Sequence, residues 1–256
     1  METIFVIVFG LIIGSFLNVV IYRLPLEKSL VSPGSYCASC NTPIKFYDNI
    51  PVLSYIILGG KCRNCKERIS IIHPFIEIFT AFAFWLSYVN FFSYSVHYMI
   101  FTSIFLALLI SLTFIDLFHM ILPDELTVGG TVIFLIYSFF NPRISPINSF
   151  GTALGGALFF AGLYFFYLKV RKIEGLGFGD VKMMLLLGAF LGIAKTVVAV
   201  MLASFSGLIV GMFLIIFKRK TMKFALPFGT FLGIGSLVSL FWGERVLLFI
   251  RSIVIR

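Results

Sequence analysis

Four cysteines are the residues of this sequence whose spacing most directly indicates chemistry. They form two Cys-x-x-Cys pairs, Cys37 with Cys40 and Cys62 with Cys65, separated by 21 residues. Each pair can give two thiolates to one metal ion, and two pairs complete a tetrahedral site. The spacing predicts a structural zinc site, because four thiolate ligands leave no open position for catalysis. Disulfides are the alternative, which a reducing cytoplasmic location disfavours.

Two aspartates stand at the ends of apolar runs. Asp116 follows Phe101–Ile115, and Asp180 closes the segment Gly175-Leu-Gly-Phe-Gly-Asp180, just before Val181–Leu191. Ionisable groups at membrane depth are costly and indicate functional sites. Each has an alternative: Asp116 can lie in the solvated interface, and Asp180 can cap a helix. In one cleft, one carboxylate could activate water while the other protonates or hydrogen-bonds a scissile carbonyl. The pair predicts peptide hydrolysis without a covalent intermediate.

Other polar residues near the apolar runs have more ordinary interpretations. Asp124 follows Pro123 at a helix start, which predicts a cap rather than a catalyst. His73 and Glu77 are four residues apart and can share a helix face. We interpret His73 as interfacial, whereas Glu77 stays open between an interfacial and a functional role. Asn18, inside the first apolar run, is predicted to hydrogen-bond another helix.

The composition identifies the elements that must hold these residues. Of 256 residues, 60% are hydrophobic and 12% charged, and the mean hydropathy is +1.06. Soluble domains carry about 25% charged residues. This excludes a soluble single domain, a disordered chain and a nucleic-acid binder. The apolar runs are continuous rather than alternating, so we predict an all-α, polytopic membrane helix bundle.

The apolar runs predict about eight transmembrane helices. Val181–Leu191 is the weakest of them, and Gly188 and Gly192 indicate close helix packing there rather than a loop. The predicted spans are Ile4–Ile21, Phe75–Val89, Tyr98–Ile115, Leu126–Phe140, Phe150–Leu168, Val181–Leu191, Thr196–Phe217 and Phe228–Phe241.

The basic residues predict the orientation. Eight spans place both termini on one side, and 15 of the 20 Lys and Arg residues then fall in loops on the other side. The positive-inside rule makes those loops cytoplasmic and both termini extracytoplasmic. Most acids share the cytoplasmic side, where they either neutralise the basic loops or receive a basic substrate. We predict a first helix over 1–22, a zinc-stabilised cytoplasmic loop over 23–73 and a membrane core over 74–256.

A series of short motifs runs from residue 14 to residue 182. They are Gly14-Ser-Phe-Leu-Asn-Val-Val-Ile-Tyr-Arg-Leu-Pro25, the two Cys-x-x-Cys pairs around Asp48-Asn-Ile-Pro51, Gly60-Lys-Cys-Arg-Asn-Cys65, Ile69-Ser70, Pro74 with Glu77, Asp116 with Leu122-Pro-Asp124, and Gly177-Phe-Gly-Asp180. In content and order they resemble the type IV prepilin peptidases. His73 departs from the family, which usually has Tyr there, and the C-terminal third is similar only in being hydrophobic.

The resemblance implies a multi-pass aspartyl peptidase of the bacterial inner membrane, with the G-x-G-D signature and an active site at the cytoplasmic face. It maps the catalytic pair onto Asp116 and Asp180. Family members cut the basic leader from type IV prepilins or type II secretion pseudopilins. Many then methylate the new N-terminal residue with S-adenosylmethionine. The tetracysteine loop accompanies both activities, so methylation is implied here, by residues that the sequence does not identify. The implied partners are these substrates and membrane lipid, and no nucleic acid.

Two other functions fit the same features. In an ion-coupled transporter, Asp116 and Asp180 would form an ion site. Transporters usually show paired repeats, and no such symmetry is visible in this sequence. The other possibility is a scaffold protein with a zinc-stabilised loop.

Overall fold

The computed structural model describes residues 1–170, 177–218 and 226–254, without the side chains of 218, 250, 253 and 254. Gly175, with residues 171–176 of the connection between the predicted spans Phe150–Leu168 and Val181–Leu191, and residues 219–225, after the predicted span Thr196–Phe217, lie outside this part. Within it the chain is all-α, and only two isolated β-bridges occur. The helices are α1 (Glu2–Arg23), α2 (Leu53–Ile57), α3 (Ile72–Phe91), α4 (Val96–His119), α5 (Asp124–Tyr137), α6 (Pro146–Val170), α7 (Phe178–Lys218) and α8 (Phe228–Val254).

The first compact unit comprises Met1–Ala107. Here α1 packs along α3, and two glycines of α1 allow the close approach. A Cβ added at Gly10 would lie 2.6 Å from the Cα of Ala81, and one at Gly14 would lie 2.6 Å from the Cα of Glu77. Small residues at such contacts let helix backbones meet without a gap, as is common in membranes.

Arg23 fixes the start of the loop that follows α1. Its buried guanidinium donates hydrogen bonds to the carbonyl oxygens of Ser29 (3.1 Å), Pro33 (2.7 Å) and Gly34 (2.9 Å). The fork geometry of arginine suits several acceptors at once. Arg23 was counted only among the basic residues that predict the orientation. The structure shows that it also holds the loop in place.

The second compact unit comprises Leu108–Arg256, with α5, α6 and α8 packed against α7. A Cβ added at Gly188 of α7 would lie 2.5 Å from the backbone nitrogen of Ala153 in α6. The close packing predicted for Gly188 is thus confirmed. Phe134 of α5 and Phe190 of α7 fill the interior, with ring centroids 4.8 Å apart.

Helix α7 is interrupted at Gly192, where φ is 68° and ψ is 174°. Its 41 residues would otherwise span about 60 Å, twice the hydrocarbon thickness of a bilayer. This interruption falls in the gap between the predicted spans Val181–Leu191 and Thr196–Phe217, and only glycine adopts this φ without strain. The close packing predicted for Gly192 is also present, because a Cβ there would lie 3.3 Å from Asn148 Oδ1. Two residues of α6 bind the freed backbone: Asn148 Oδ1 accepts the Ile193 N–H (3.1 Å), and the Ser149 hydroxyl donates to the Ala189 carbonyl (2.6 Å).

Six helices of the described chain are long and apolar enough to cross a membrane. The eight predicted spans still correspond to helical segments. The count falls from eight to six for two reasons: α5, with 14 residues, is too short to be counted, and the two predicted spans that make up α7 are counted as one helix. The prediction of an all-α, polytopic membrane protein is confirmed. The six are Glu2–Leu26, Ile72–Phe91, Val96–His119, Pro146–Val170, Phe178–Phe217 and Phe228–Phe249.

Candidate active site and metal centre

Asp116 and Asp180 come together in the second unit. Asp116 lies in the last turn of α4 and Asp180 in the first turn of α7. Each residue is only 5% exposed, and the two carboxylates are close enough to interact electrostatically. The structure therefore brings the two aspartates into one buried site.

Thr230, in the first turn of α8, holds Asp116. Its backbone N–H donates to Asp116 Oδ2 at 2.6 Å, and its hydroxyl lies 3.0 Å from the same oxygen. The first N–H groups of a helix have no partner within the helix, which makes them good donors to a carboxylate. Sequence reasoning missed this residue. The helix start after Pro227 in Pro227-Phe-Gly-Thr230 was the available signal.

Asp180 is held by its own helix start. Its Oδ2 accepts the Gly177 N–H at 3.2 Å, and its backbone N–H donates to the Gly177 carbonyl at 3.1 Å. Asp180 is the third residue of α7, and Gly177 immediately precedes the helix. An acid at the third helical position that accepts the N–H of the residue before the helix is one half of a capping box. The capping role and the functional role considered for Asp180 are therefore compatible.

Two glycines leave no room for side chains around Asp116. A Cβ at Gly229 would lie 3.0 Å from the Asp116 carboxyl carbon, and a Cβ at Gly179 would lie 3.0 Å from Leu122 Cβ. Leu122, buried after the end of α4, also lies 3.0 Å from the position of a Gly229 Cβ. The end of α4 and the starts of α7 and α8 thus meet at the carboxylates. The starts of α7 and α8 can approach this closely because Gly179 and Gly229 have no side chains.

Asp124 lies outside this arrangement. Helix α5 begins at Asp124, with Pro123 in the extended N-cap position and no side-chain cap. The prediction that Asp124 caps this helix was wrong, because the residue stands one position too late. Its carboxylate is 67% exposed and pairs with Lys182. An acid in the first turn still complements the helix dipole.

The four cysteines form one cluster in the first unit. Their Sγ atoms all lie within 4.8 Å of one another, and those of Cys37 and Cys65 are 3.8 Å apart. A tetrahedral zinc with Zn–S bonds of about 2.3 Å requires sulfurs about 3.8 Å apart. The donor set and its spacing therefore fit a zinc ion.

Two similar turns present these thiols. In the first, the Cys37 N–H donates to the Thr42 carbonyl (3.0 Å), and the Asn41 N–H donates to the Cys37 carbonyl (2.9 Å). In the second, the Cys62 N–H donates to the Glu67 carbonyl (2.8 Å), and the Lys66 N–H donates to the Cys62 carbonyl (3.1 Å). Asn41 and Lys66 both have positive φ, at 55° and 61°. Each Cys-x-x-Cys pair is therefore presented by a turn of the same backbone geometry.

The thiols of the cluster do not ionise independently. Hydrogen bonds with the Thr42 side chain and backbone lower the pKa of Cys40 to about 6. The pKa of Cys65 is raised to about 12, because burial and hydrogen bonds with the other three thiols outweigh the opposing backbone hydrogen bond of Glu67. Four thiolates at this separation repel one another. A divalent cation would relieve that repulsion, which fits the predicted metal site.

Asp48 and Arg63 join the segment between the cysteine pairs to the second turn. The guanidinium donates through Nε and Nη2 to the two carboxylate oxygens, at 2.8 and 2.6 Å. These hydrogen bonds hold the pKa of the Asp48 carboxyl below its usual value. A bidentate pair fixes orientation as well as distance. The sequence alone does not identify Arg63 as the partner of Asp48.

Polar residues of α1 and α3 meet beside this loop. The Asn18 side-chain amide donates to the His73 carbonyl at 3.1 Å, and its Oδ1 lies 3.2 Å from His73 Nδ1. The predicted interhelical hydrogen bond of Asn18 is confirmed. Glu77, which the sequence left open, is buried, and its Oε2 accepts the backbone N–H of Val52 at 2.7 Å.

Comparisons with known proteins agree with these features. Residues 8–91 match the bacterial peptidase A24 N-terminal domain, and residues 103–212 match the type IV leader peptidase family. Three similar proteins, each called prepilin leader peptidase/N-methyltransferase, come from Pseudomonas putida, Aeromonas salmonicida and Legionella pneumophila. They are 34%, 34% and 33% identical over 93%, 94% and 93% of this chain, and over 90%, 91% and 91% of their own lengths. No solved structure matches. By these similarities, the chain belongs to the type IV leader peptidase family.

Proposed function

We propose that this protein removes the leader of type IV prepilins or pseudopilins and then methylates the new N-terminal amine. The observation that carries the peptidase assignment is the pair of buried carboxylates, Asp116 and Asp180, held at the ends of different helices. Buried acids in a membrane protein are costly and are retained for function. Membership of the family, and the names of its similar members, support the same activity.

The hydrogen bonds support different proposed roles for the two carboxylates. Asp116 faces two donors, the N–H and hydroxyl of Thr230, whereas Asp180 accepts one N–H, that of Gly177. Donors stabilise an ionised carboxylate, so Asp116 is the base and Asp180 carries the proton. Asp116 takes a proton from water as the water oxygen bonds to the scissile carbonyl carbon. Asp180 gives its proton to the carbonyl oxygen. Collapse of the tetrahedral species breaks the C–N bond. Asp116 gives the proton it took from water to the leaving amine, and the hydroxyl formed from the carbonyl oxygen returns a proton to Asp180 as the C=O bond of the new carboxyl group forms.

The proposed cofactors are zinc and S-adenosylmethionine. Cys37, Cys40, Cys62 and Cys65 would hold the zinc as a structural ion, because four thiolates leave no open ligand position. S-adenosylmethionine, when bound, supplies the methyl group for the amine. The printed names of the similar proteins support that second activity.

The proposed location is the bacterial inner membrane, with the active site at the cytoplasmic face. The basic residues support this side, because most of them fall in the loops that contain the cysteines or adjoin Asp116 and Asp180. Lipid is the proposed surrounding medium, since α6 exposes large apolar side chains such as Leu154, Leu158 and Phe159. No nucleic-acid partner is proposed.

One experiment tests cleavage and methylation together. The purified protein is incubated with S-adenosylmethionine and a synthetic prepilin segment that contains the leader and the first residues of the mature helix. Mass spectrometry should show the free leader and a mature fragment that carries one additional methyl group. Uncut substrate after prolonged incubation would overturn the peptidase assignment. Cut but unmethylated product would overturn only the methylation.

The transporter and scaffold interpretations are not favoured. Neither accounts for a chain that matches leader peptidases along nearly its whole length. A transporter would bind cations at Asp116 and Asp180, so cation uptake into proteoliposomes that depends on both residues, without peptide cleavage, would revive it.

A further inference from the structure

Helices α7 and α8 begin with the same pattern: a phenylalanine, a glycine and a polar residue that belongs to the proposed active site. In α7 these residues are Phe178-Gly-Asp180, and in α8 they are Phe228-Gly-Thr230. Asp180 is one of the two buried carboxylates, and Thr230 binds the other, Asp116. A phenylalanine therefore stands two positions before the site in each helix.

The two phenylalanines pack against a single face of α6. The ring centroid of Phe178 lies 5.7 Å from that of Tyr164, and the ring centroid of Phe228 lies 6.2 Å from that of Phe160. Phe160 and Tyr164 are four residues apart, which places them on the same side of a helix. Separations of about 4.5–7 Å are those of favourable aromatic pairs. We call these four residues, which lie beside the starts of α7 and α8, the aromatic wall.

The aromatic wall is accessible at Phe178, which is 52% exposed although it stands two positions before a buried acid. Gly177, the residue before Phe178, is also exposed, and its N–H donates to Asp180 Oδ2 at 3.2 Å. Within the described part of the chain, the other residues that hold or crowd the two carboxylates, Thr230 and Gly229, are buried. A substrate that approaches Asp180 past Gly177 therefore meets the ring of Phe178.

We propose that the aromatic wall binds the apolar side chain of the first residue after the scissile bond, with Phe178 as the exposed contact. This inference rests on the leader cleavage proposed above. The leader is basic, and the wall has no anionic side chain to pair with it, so the wall suits the residue on the mature side of the bond. Binding of that side chain fixes the register of the substrate, so that its scissile carbonyl reaches Asp180.

A double-mutant cycle between enzyme and substrate tests this contact. The purified full-length wild type and Phe178→Ala are each assayed with two leader peptides, which have Phe or Ala as the first residue of the mature segment. We expect Phe178→Ala to lower kcat/KM about tenfold on the Phe peptide but less than about twofold on the Ala peptide, because the partner side chain is already absent there. Phe178→Leu should keep most of the activity on the Phe peptide, since leucine is also apolar.

Phe150→Ala is the matched control. Phe150 is 46% exposed and lies near the other end of α6, about 20 Å along the helix axis from Tyr164. This variant should cleave both peptides like the wild type. A loss in Phe178→Ala that is equal on the two peptides, or a coupling to a basic residue of the leader instead, would overturn the proposed contact and leave the peptidase assignment intact. A wild type that cleaves neither peptide would overturn the leader cleavage itself.

Photochemical cross-linking does not depend on a variant that folds. A leader peptide with p-benzoylphenylalanine as the first residue of the mature segment is irradiated with the wild-type protein, and the labelled sites are mapped by mass spectrometry. Label should appear at or next to members of the aromatic wall, in the segments around 160–164, 178 or 228. Label that avoids all of these segments would contradict the proposal.

Discussion

The Thr230 hydroxyl lies between two acceptors, 3.0 Å from Asp116 Oδ2 and 3.2 Å from the Thr113 carbonyl. A hydroxyl has one proton and can donate to only one of them at a time. An ionised Asp116 attracts that proton, whereas a protonated Asp116 leaves it to Thr113. The Thr230 N–H also donates to Asp116 Oδ2, at 2.6 Å. Thr230 is thus a positioning residue that can follow the protonation of Asp116.

Thr230→Val should lower the kcat of leader cleavage by about 10- to 100-fold with little change in KM. The substitution keeps the N–H and removes a hydrogen bond to a charged group, worth about 1.5–3 kcal/mol. Steady-state kinetics with a leader peptide measures it, and Thr230→Ser should restore most of the rate. The control is Thr131→Val, another buried threonine, whose hydroxyl bonds only within its own helix. Equal losses in Thr230→Val and Thr131→Val would show that the effect is merely structural.

Asp116→Asn and Asp180→Asn should each abolish cleavage in a folded protein. An amide cannot accept the proton of the attacking water, and general acid–base catalysis alone contributes about 10²–10⁴-fold. The two carboxylates act together, so the double variant should be no worse than either single one. Peptide cleavage at matched folded concentration checks this. Asp124→Asn, which only removes the exposed ion pair with Lys182, should retain activity. Activity that survives in Asp180→Asn would end the aspartyl-peptidase assignment.

The cysteine cluster should bind about one zinc ion per chain, measured by elemental analysis of the pure protein. Cys37→Ser should lose most of the metal and expose the 23–73 loop to proteases. Ser39→Ala, in the same turn but not a ligand, should keep the metal. Acidification should release zinc, because protons compete with it for the thiolates. Four freely titratable thiols and no stoichiometric metal in the wild type would refute the site.

Labelling of introduced cysteines in intact cells tests the predicted topology. A thiol at Ser93, exposed after α3, should react with an impermeant maleimide. A thiol at Lys28, exposed after α1, should react only after the cells are permeabilised, as the four native thiols should. The expectation follows from the uneven distribution of Lys and Arg. Labelling of both new thiols from the same side would contradict it.

Gly188→Ala should destabilise the protein by about 1–3 kcal/mol, the usual cost of overpacking. The added methyl group would lie 2.5 Å from the backbone of Ala153, which cannot move as a flexible side chain could. Gly155→Ala in α6 has open space around it and should be neutral or slightly stabilising. Thermal unfolding in detergent compares the two variants. A Gly188→Ala protein as stable as Gly155→Ala would show that the α6–α7 contact can separate at little cost.

The helical class of the protein was predictable because it depends on composition and on uninterrupted apolar runs. The clustering of the four cysteines could also be predicted, since metal ligands occur at short, recognisable spacings. The proximity of Asp116 and Asp180 followed from a simpler argument, that helix ends on one side of a membrane can meet. Each of these inferences needs only composition, residue spacing or the side of the membrane on which a helix ends, and none requires knowing in advance which distant residues make contact.

The missed features depend on contacts between distant parts of the chain. Thr230 is 114 residues from Asp116, and nothing in Pro227-Phe-Gly-Thr230 specifies an acid as its partner. Asp124 is not a cap because the helix begins one residue earlier than a cap requires.

The bend at Gly192 also bears on how the chain is made. The Ile193 amide and the Ala189 carbonyl beside it are bound by Asn148 and Ser149, which are synthesised 45 and 40 residues earlier. When the second half of α7 reaches the bilayer, its docking groups are therefore already present on α6. The backbone groups at the interruption can therefore pair with α6 as soon as they are synthesised.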